Sequence, residues 1–323
     1  MYIKISKFEN LKIFIILIIS LYLFIINLIK IKKYNKNIKL RNSYNNEIIN
    51  RMKVCLCTLG KKENKYIREF IKYYVDFGID KIIIYDNNDI NDERFENVIN
   101  DFINNKYVKI INYRGLARSQ LKILNDCYKN NYNKYNWLLF YDIDEFLYLR
   151  NYKNIKYFLI EKKFKKYILI HLNLIYHTDN NLLYYENKSL SERFPEKRYK
   201  NLFIAKTILR GHIPGIKITS AHWINYKIVG CNGYGKKIKL KNYKYIKPDF
   251  RNYYINHYAF KSTEEFINKI NRGSCYYGIN NKTKLHKINV YFCYNKITLK
   301  KINFIEQKTK LNLDRFRKKI NKL

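Results

Sequence analysis

Three carboxylates occur together inside one of the most apolar segments of the chain. Residues 137–149 read WLLFYDIDEFLYL, in which Asp142, Asp144 and Glu145 are flanked by apolar runs on both sides. Burying an unpaired carboxylate costs several kcal/mol, so an acidic cluster in this setting is typical of a strand end that faces a cation or a functional cleft.

The oxygen atoms of such a cluster suit Mg²⁺ or Mn²⁺. These ions bridge one or two protein carboxylates to phosphate oxygens and keep water in their remaining positions. A metal ion held by Asp142 and Asp144 would stabilise the charge that develops on a leaving diphosphate. D-x-D triplets also occur by chance in a chain of 323 residues, so the inference depends on the elements that position the pair.

A regular alternation of strands and helices leads to the acidic cluster. Strands are predicted at 53–59, 80–86, 107–113 and 137–142, with amphipathic helices at 66–78, 92–105 and 119–130. Continuous apolar strands separated by helices predict an α/β fold with a mostly parallel sheet that has helices on both faces. Ligands bind at the carboxyl ends of strands in such sheets. Asp142 and Asp144 are therefore predicted on extended backbone just past a strand end, pointing the same way.

An apolar run, IFIILIISLYLFIINLI, fills residues 13–29 and is long enough for a single membrane span. No small-residue cleavage pattern follows it, which favours an uncleaved anchor over a secretory signal. A tail at 1–12 and a stem at 30–52 flank the span, and the remainder divides into halves at 53–150 and 151–323, the second ending in a helical tail. Lysines are denser after the span, which favours a cytosolic catalytic part over a Golgi-type or ER-type luminal one.

The formal net charge of +38 raises the question of nucleic-acid binding. The cations are mostly Lys, dispersed among Asn, Ile and Tyr, which are all residue types with A/T-rich codons. A biased base composition explains that mixture without a binding site. No run of five consecutive cations and no nucleic-acid motif is present, so nucleic-acid binding remains only an alternative.

Six cysteines permit disulfides without requiring them. Cys55 and Cys57 alternate in an apolar strand, and the chain contains no C-x-x-C pair. Both are therefore interpreted as small core residues rather than metal ligands.

Four segments carry a more specific pattern than any single motif. They read VCLCTLGKKENKYIREFIKYYVDFGIDKIIIYDNND, SQLKILNDCYKN, WLLFYDIDEFLYL and INHYAFKSTEEFINKINRG. In order and spacing they resemble a GT-A type glycosyltransferase, in particular glycosyltransferase family 92 and related family-2-like glycosyltransferases. The resemblance covers residues 53–273. It implies a Rossmann-like GT-A fold behind the membrane helix.

The resemblance also implies an activity. It is that of a membrane-anchored, divalent-metal-dependent hexosyltransferase, with galactose as one donor choice, which moves a sugar from a nucleotide donor, expected to be UDP-linked, to a glycan acceptor with inversion. Two alternatives stay open. The first is a catalytically silent GT-A domain that binds glycan or protein, which the intact Asp142 and Asp144 disfavour. The second is the basic nucleic-acid-binding protein.

The resemblance assigns residues to the donor and the metal. Residues implied at the uridine pocket are Thr58, Glu63 and Asp86. Asp142 would bind ribose and metal, Asp144 would bind metal, and Lys261 or Arg272 would reach the diphosphate. His222 in SAHW and His257 in INHY are candidates for a further metal ligand, against an ordinary structural role.

Three acidic residues remain with alternative roles. If the reaction inverts the sugar carbon, Asp179 or Glu192 is the candidate base that accepts the proton of the acceptor hydroxyl. Glu145 either orients the loop or takes part in catalysis. Ser262 and Glu265 form a predicted capping box at the start of a helix that Gly273 would end, which is a structural feature.

Overall fold

The computed structural model describes residues 45–116, 119–199, 204–222, 224–225, 227–238, 249–273 and 280–320, together with Ile26, Lys30 and Lys32. The anchor predicted at 13–29 lies outside these residues, apart from Ile26. No helix within the described ranges is long and apolar enough to cross a membrane. Contacts divide the chain into the units Met1–Arg51 and Met52–Leu323, and the sheet and the candidate site belong to the second.

Four parallel strands form the first part of the sheet. They are β1 (Val54–Gly60), β2 (Lys81–Asp86), β3 (Val108–Asn112) and β4 (Trp137–Phe140), in the spatial order β4-β1-β2-β3. The apolar residues of β4 and nearly all those of β1 are buried because helices cover the sheet, whereas β3 at the edge is only partly buried. The parallel arrangement predicted from the sequence is therefore confirmed for these strands.

The connecting helices are α1 (Asn64–Asp76), α2 (Glu96–Asn104) and α3 (Gln120–Asn131). Helix α2 begins four residues after the predicted start at Asp92. The reason is that the guanidinium of Arg114 donates hydrogen bonds to the carbonyls of Asp89, Asp92 and Glu93, which fixes this stretch as a loop.

The second part of the sheet is mixed, which the sequence did not predict. Its strands are β5 (Glu145–Leu149), β6 (Leu169–His177), β7 (Lys197–Arg198), β8 (Ala205–Arg210), β9 (Gly230–Asn232), β10 (Lys237–Ile238) and β11 (Tyr253–His257). Strand β8 is antiparallel to both β4 and β6. The first half of β6 pairs with β8 and β9, and its second half pairs with β7 and β11. Strand β11 also pairs with β5, which brings the acidic motif WLLFYDIDEFLYL next to the late motif that begins at Ile255.

Six further helices are α4 (Ile155–Leu159), α5 (Leu190–Arg193), α6 (Thr263–Arg272), α7 (Asn281–Tyr294), α8 (Leu299–Thr309) and α9 (Asp314–Ile320). Helix α6 starts at the predicted capping box of Ser262 and Glu265 and ends at Gly273, whose φ of 79° is favourable for glycine. Helices α6 to α9 share an apolar core that includes Phe266 and Tyr291.

A disulfide joins Cys57 of β1 to Cys127 of α3. Cys57 is a buried core residue, as predicted, and it forms one of the disulfides that the sequence left open, because α3 packs on the face of β1 from which Cys57 projects. Cys55 is a free buried thiol, as expected.

Candidate active site

The acidic cluster lies where β4 ends and β5 begins. The N–H of Glu145 donates to the carbonyl of Asp142 at 3.0 Å, and the Glu145 side chain accepts the N–H of Asp142 at 3.0 Å. These two bonds close a tight turn, so Asp142 and Asp144 are not on extended backbone as predicted. Glu145 is fully buried, and its contacts support the loop-orienting role rather than contact with a substrate.

A lysine that the sequence analysis missed neutralises part of the cluster. Lys206 of β8 is fully buried, and its Nζ lies 2.9 Å from Oδ2 of Asp142 and 3.2 Å from Oε2 of Glu145. Burial opposes the charge on Lys206, but the two carboxylates outweigh it and raise the pKa of Lys206. Burial would also raise the pKa of Asp142, whereas Lys206 lowers it below its ordinary value. For Glu145 burial dominates and raises the pKa to about 7.

The late motif supplies the partners of Asp144. Nζ of Lys269, from α6, lies 2.7 Å from Oδ2 of Asp144, and Nε2 of His257, from β11, lies 3.4 Å from Oδ1. Burial alone would raise the pKa of Asp144, but Lys269 and His257 hold it well below its usual range. His257, a candidate metal ligand in the sequence analysis, therefore lies beside Asp144. The contact between Lys269 and Asp144 was not predicted.

Glu63 is held by both cations that were predicted to reach a diphosphate. Arg272 contacts Oε1 of Glu63, and Nζ of Lys261 lies 3.5 Å from Oε2. Arg272 also donates to the carbonyls of Lys61 and Lys62, so it ties the end of β1 to α6. Lys261 is buried, and its Nζ lies 3.6 Å from the centroid of the Tyr66 ring. Lys261 is therefore a buried support, and Arg272 is the more accessible of the two.

Thr58 of β1 and Asp86 of β2 lie on neighbouring parallel strands, towards their carboxyl ends. Oδ2 of Asp86 pairs with Nη1 of Arg114 at 2.6 Å, and Oδ1 accepts the N–H of Asn88 at 2.9 Å. Within the described ranges, Oγ1 of Thr58 and Nε of Arg114 are buried without a hydrogen-bond partner. Arg114 was not predicted, although an arginine directly after the predicted third strand, near an acid at the end of the second, was a usable signal.

Asp179 and Glu192, the two candidate bases, do not line the cavity at the acidic cluster. Each instead contacts residues that stabilise the fold. Asp179 is buried, accepts a hydrogen bond from Tyr291 and lies 2.5 Å from Nζ of Lys301. Glu192 completes the capping box that begins α5, with Ser189 as its partner. The catalytic roles assigned to them stay predictions that these contacts do not support.

A cavity of about 730 Å³ opens in front of the acidic cluster. Of the predicted residues, it brings together Glu63, Asp142, Asp144, His257 and Arg272. The other predicted residues are not part of its lining; they are Thr58, Asp86, Lys261, His222, Asp179 and Glu192. Helix α7 adds a wall that was not predicted, formed by Lys282, Thr283, His286, Lys287 and Val290.

Two histidines, His222 and His257, adjoin the acidic cluster. Burial, and then the charge of Lys206, lowers the pKa of His222 to about 4. Nδ1 of His222 and Nδ1 of His257 are buried and have no partner among the residues described. Across all the residues that the structure describes, no group of three or more His, Cys, Asp or Glu side chains is placed to hold a metal ion.

Comparison with solved structures gives only a weak likeness. The crystal structure of Staphylococcus aureus TarS 1-349 in complex with UDP-GlcNAc is 14% identical, with a TM-score of 0.39, over 82% of this chain and 83% of that one. A second structure of TarS gives a TM-score of 0.33 at 12% identity, over 82% and 50% of the two chains. Neither likeness is strong enough to carry an argument about function.

Sequence comparison is more informative. A family 92 glycosyltransferase of Oryza sativa subsp. japonica is 30% identical over 103 residues, which are 29% of this chain and 16% of the rice protein. One of Ricinus communis is 25% identical over 103 residues, or 32% and 18% of the two chains. The chain thus matches less than a fifth of the length of these relatives. The family model, however, matches residues 50–293, so the chain belongs to glycosyltransferase family 92 and the resemblance to GT-A enzymes is confirmed.

Proposed function

We propose that the chain transfers a hexose from a UDP-linked donor to a glycan acceptor with inversion at the sugar carbon, galactose being one donor choice. One observation carries the proposal. The paired acids Asp142 and Asp144 open from the end of β4 into a cavity that also receives Lys269 and Arg272. Its volume of about 730 Å³ lies within the range of small-molecule sites.

The donor would lie along the carboxyl ends of the parallel strands. The base and the ribose would lie near the end of β1, where Gly60 and Lys61 line the cavity, and the buried pair of Asp86 and Arg114 would support this end of the sheet. The diphosphate would then lie in the cavity beside Lys269 and Arg272. Preorganised charges of this kind stabilise a leaving group in the transition state more than in the bound substrate.

The proposal includes a divalent ion, Mn²⁺ or Mg²⁺, and the residues present fit one in part. Oδ1 of Asp144 and Nε2 of His257 are 3.4 Å apart, a spacing that suits neighbouring ligands at about 2.0–2.2 Å from one ion. Asp142, Asp144 and His257 would hold the ion, with His222 as a fourth candidate. Substrate phosphate and water would complete its coordination. When bound, the ion would supply positive charge to the departing diphosphate.

Lys206 and Lys269 prepare the two aspartates for this role. Each lysine contacts Oδ2 of its aspartate, so an ion would bind at the Oδ1 atoms, which His257 adjoins at Asp144. Paired carboxylates stay ionised, because the lysine charges offset the cost of burial. Lys269 also lines the cavity as a fixed cation, which predicts weak residual donor binding when metal is removed.

The proposal extends to the compartment. The disulfide between Cys57 and Cys127 supports an oxidising environment such as a secretory lumen, opposite to the orientation that the flanking lysines favour. The anchor at 13–29 would then place the catalytic part on the luminal side. Protease added outside sealed microsomes should leave the catalytic part intact, and digestion would favour the cytosolic orientation.

UDP release tests the activity directly. Purified protein is supplied with a panel of UDP-hexoses and glycan acceptors, in Mn²⁺ and in EDTA, and the anomeric configuration of any product is read by NMR. We expect acceptor-dependent UDP release with one donor and a large loss in EDTA. Tight UDP binding without release from any donor would favour the silent glycan-binding domain. Salt-sensitive DNA retention that does not depend on Asp144 would favour nucleic-acid binding.

A further inference from the structure

Helix α7 presents a cationic face to the cavity. Its lining residues Lys282, Thr283, His286, Lys287 and Val290 recur at helical spacing, so they form one face. Lys282 and His286 are exposed, whereas Lys287 is half-buried. Lys287 is thus the member of this face whose charge is partly removed from water.

Lys287 differs from the other sheltered cations of the cavity in having no carboxylate partner. Lys61 pairs with Asp89 at 2.7 Å, Lys269 pairs with Asp144, and Arg272 pairs with Glu63. In the part of the chain that the structure describes, Lys287 forms no ion pair. Burial, followed by the like charges of Lys269 and Arg272, lowers its pKa.

No Asp or Glu side chain among the remaining residues of this unit can supply the missing counter-ion. Between 52 and 323, the positions outside the described ranges are 117–118, 200–203, 223, 226, 239–248, 274–279 and 321–323, and none of them is Asp or Glu. A half-buried lysine that faces two like-charged side chains in a cavity is unfavourable unless an anion joins it. The arrangement therefore calls for a ligand with negative charge.

We propose that Lys287 binds the diphosphate of the nucleotide donor from the α7 side of the cavity, opposite the aspartates. The proposal rests on the function proposed above. Lys269 and Arg272 are already partnered by protein carboxylates, whereas the whole charge of Lys287 is available to phosphate oxygens. Lys287 would hold both the donor and the UDP product, and it would stabilise the charge that forms as the sugar–phosphate bond breaks.

A comparison of UDP with uridine, which has no diphosphate, separates a contact between Lys287 and the diphosphate from a general effect on the pocket. Titration calorimetry is performed on the full chain in Mn²⁺ with Lys287→Ala, Lys287→Arg and wild type. We expect Lys287→Ala to weaken UDP about tenfold, as the loss of a charge-assisted hydrogen bond does, and to change uridine affinity less than twofold. Lys287→Arg should restore most of the UDP affinity because it keeps the charge.

Lys284→Ala is the matched control. It removes the same charge from the same helix, but Nζ of Lys284 donates to Oδ1 of Asn271, and Lys284 does not line the cavity. UDP affinity should stay within twofold of wild type in this variant.

Three results would overturn the inference. The first is an unchanged UDP affinity in Lys287→Ala. The second is an equal loss of UDP and uridine affinity, which would indicate a distorted pocket. The third is a raised acceptor KM with unchanged UDP affinity, which would place an anionic acceptor at Lys287. A wild-type protein that binds neither UDP nor uridine would instead remove the proposed function, and this inference with it.

Discussion

Two sites in this molecule pair carboxylates with buried or partly buried cations, and they differ in their surroundings. In the closed cluster, Glu265 of α6 pairs with Arg193 of α5 at 2.7 Å, and both side chains are at most 3% exposed. Both oxygens of Glu265 are occupied, since Oε1 accepts from Tyr66 and Arg193, and Oε2 accepts from Arg193 and the N–H of Ser262. The open cluster around Asp142 and Asp144 also has cationic partners, but it borders the cavity.

The open cluster keeps atoms that the protein does not satisfy. Oε1 of Glu145 and Nδ1 of His222 and of His257 are buried without partners in the described residues, whereas the closed cluster uses both oxygens of its carboxylate. Unsatisfied buried polar atoms are costly. His257 lines the cavity as well, so unsatisfied polar atoms within a cluster that borders a cavity, more than the burial of charge itself, distinguish a candidate ligand site from a structural ion pair.

The largest expected effect comes from breaking the closed cluster. Arg193→Met leaves Glu265 buried without its counter-ion, which should lower the free energy of unfolding by about 3–5 kcal/mol. Turnover per folded molecule should change less than twofold, because Arg193 does not line the cavity. Urea unfolding and UDP release measure the two quantities. Arg68→Met is the control, because its pair with Asp101 is exposed and should contribute less than about 1 kcal/mol. Equal losses in the two variants would contradict the comparison.

Asp144→Asn should produce the opposite combination. Turnover should fall by about 100-fold or more, because electrostatic stabilisation of a leaving diphosphate supplies several kcal/mol and each 1.36 kcal/mol is about tenfold. The free energy of unfolding should also fall, because a carboxylate whose pKa is held well below its usual range stabilises the fold when ionised. The fall should be smaller than in Arg193→Met, since Lys269 is partly exposed and keeps its hydrogen bond to the carbonyl of Ala259. Asp142→Asn should behave similarly. Asp76→Asn, at an exposed pair with Lys72, should leave both quantities unchanged. Near-normal turnover in both cluster variants would make these aspartates structural.

Glu145→Gln should have a smaller effect on turnover, about tenfold. The glutamine keeps an oxygen that can accept the N–H of Asp142, but it removes one of the two charges that hold Lys206. The expected signature is a lower kcat with a donor KM within twofold of wild type. A loss as large as that of Asp144→Asn would instead indicate direct contact between Glu145 and the reacting groups.

The smallest effect is a pH dependence of the closed cluster. Burial would raise the pKa of Glu265, but hydrogen bonds from Arg193, Ser262 and Tyr66 lower it below its ordinary value. Because the folded-state pKa is lower than the unfolded one, the stabilisation is present above the unfolded value of about 4.3 and is lost as the pH falls through the folded value. Urea unfolding between neutral and acidic pH should therefore show a steeper decline in wild type than in Glu265→Gln. If the free energy of unfolding falls equally with pH in both proteins, the pKa of Glu265 does not differ between the folded and unfolded states.

Local patterns predicted the first half of the fold well. Strands β1 to β4 are short apolar runs, and the buried residues of α1 recur at helical spacing, so each element could be recognised from its own residues. The mixed second half could not be read in this way. The pairing of β6 with β8, β9, β11 and β7 depends on contacts between distant segments rather than on local periodicity.

The same distinction explains the candidate site. Asp142, Asp144 and His257 could be found because they occur in recognisable motifs. Lys206 could have been flagged as a lysine within an apolar strand, since a buried lysine needs a partner, but its partner is 64 residues away. Asp179 was predicted to be a candidate base only from its position along the chain. Its contact with Tyr291, 112 residues away, could not be foreseen.

The central claim is that the open cluster, with its cavity, binds the diphosphate of a nucleotide sugar. Thermal unfolding of wild type and Asp144→Asn, each with saturating UDP in Mn²⁺ or in EDTA, tests it most directly, because a ligand that binds only the folded state raises Tm. We predict a rise of several degrees for wild type in Mn²⁺, a smaller rise in EDTA and almost none for Asp144→Asn. An equal rise in Tm for wild type and Asp144→Asn would contradict the claim.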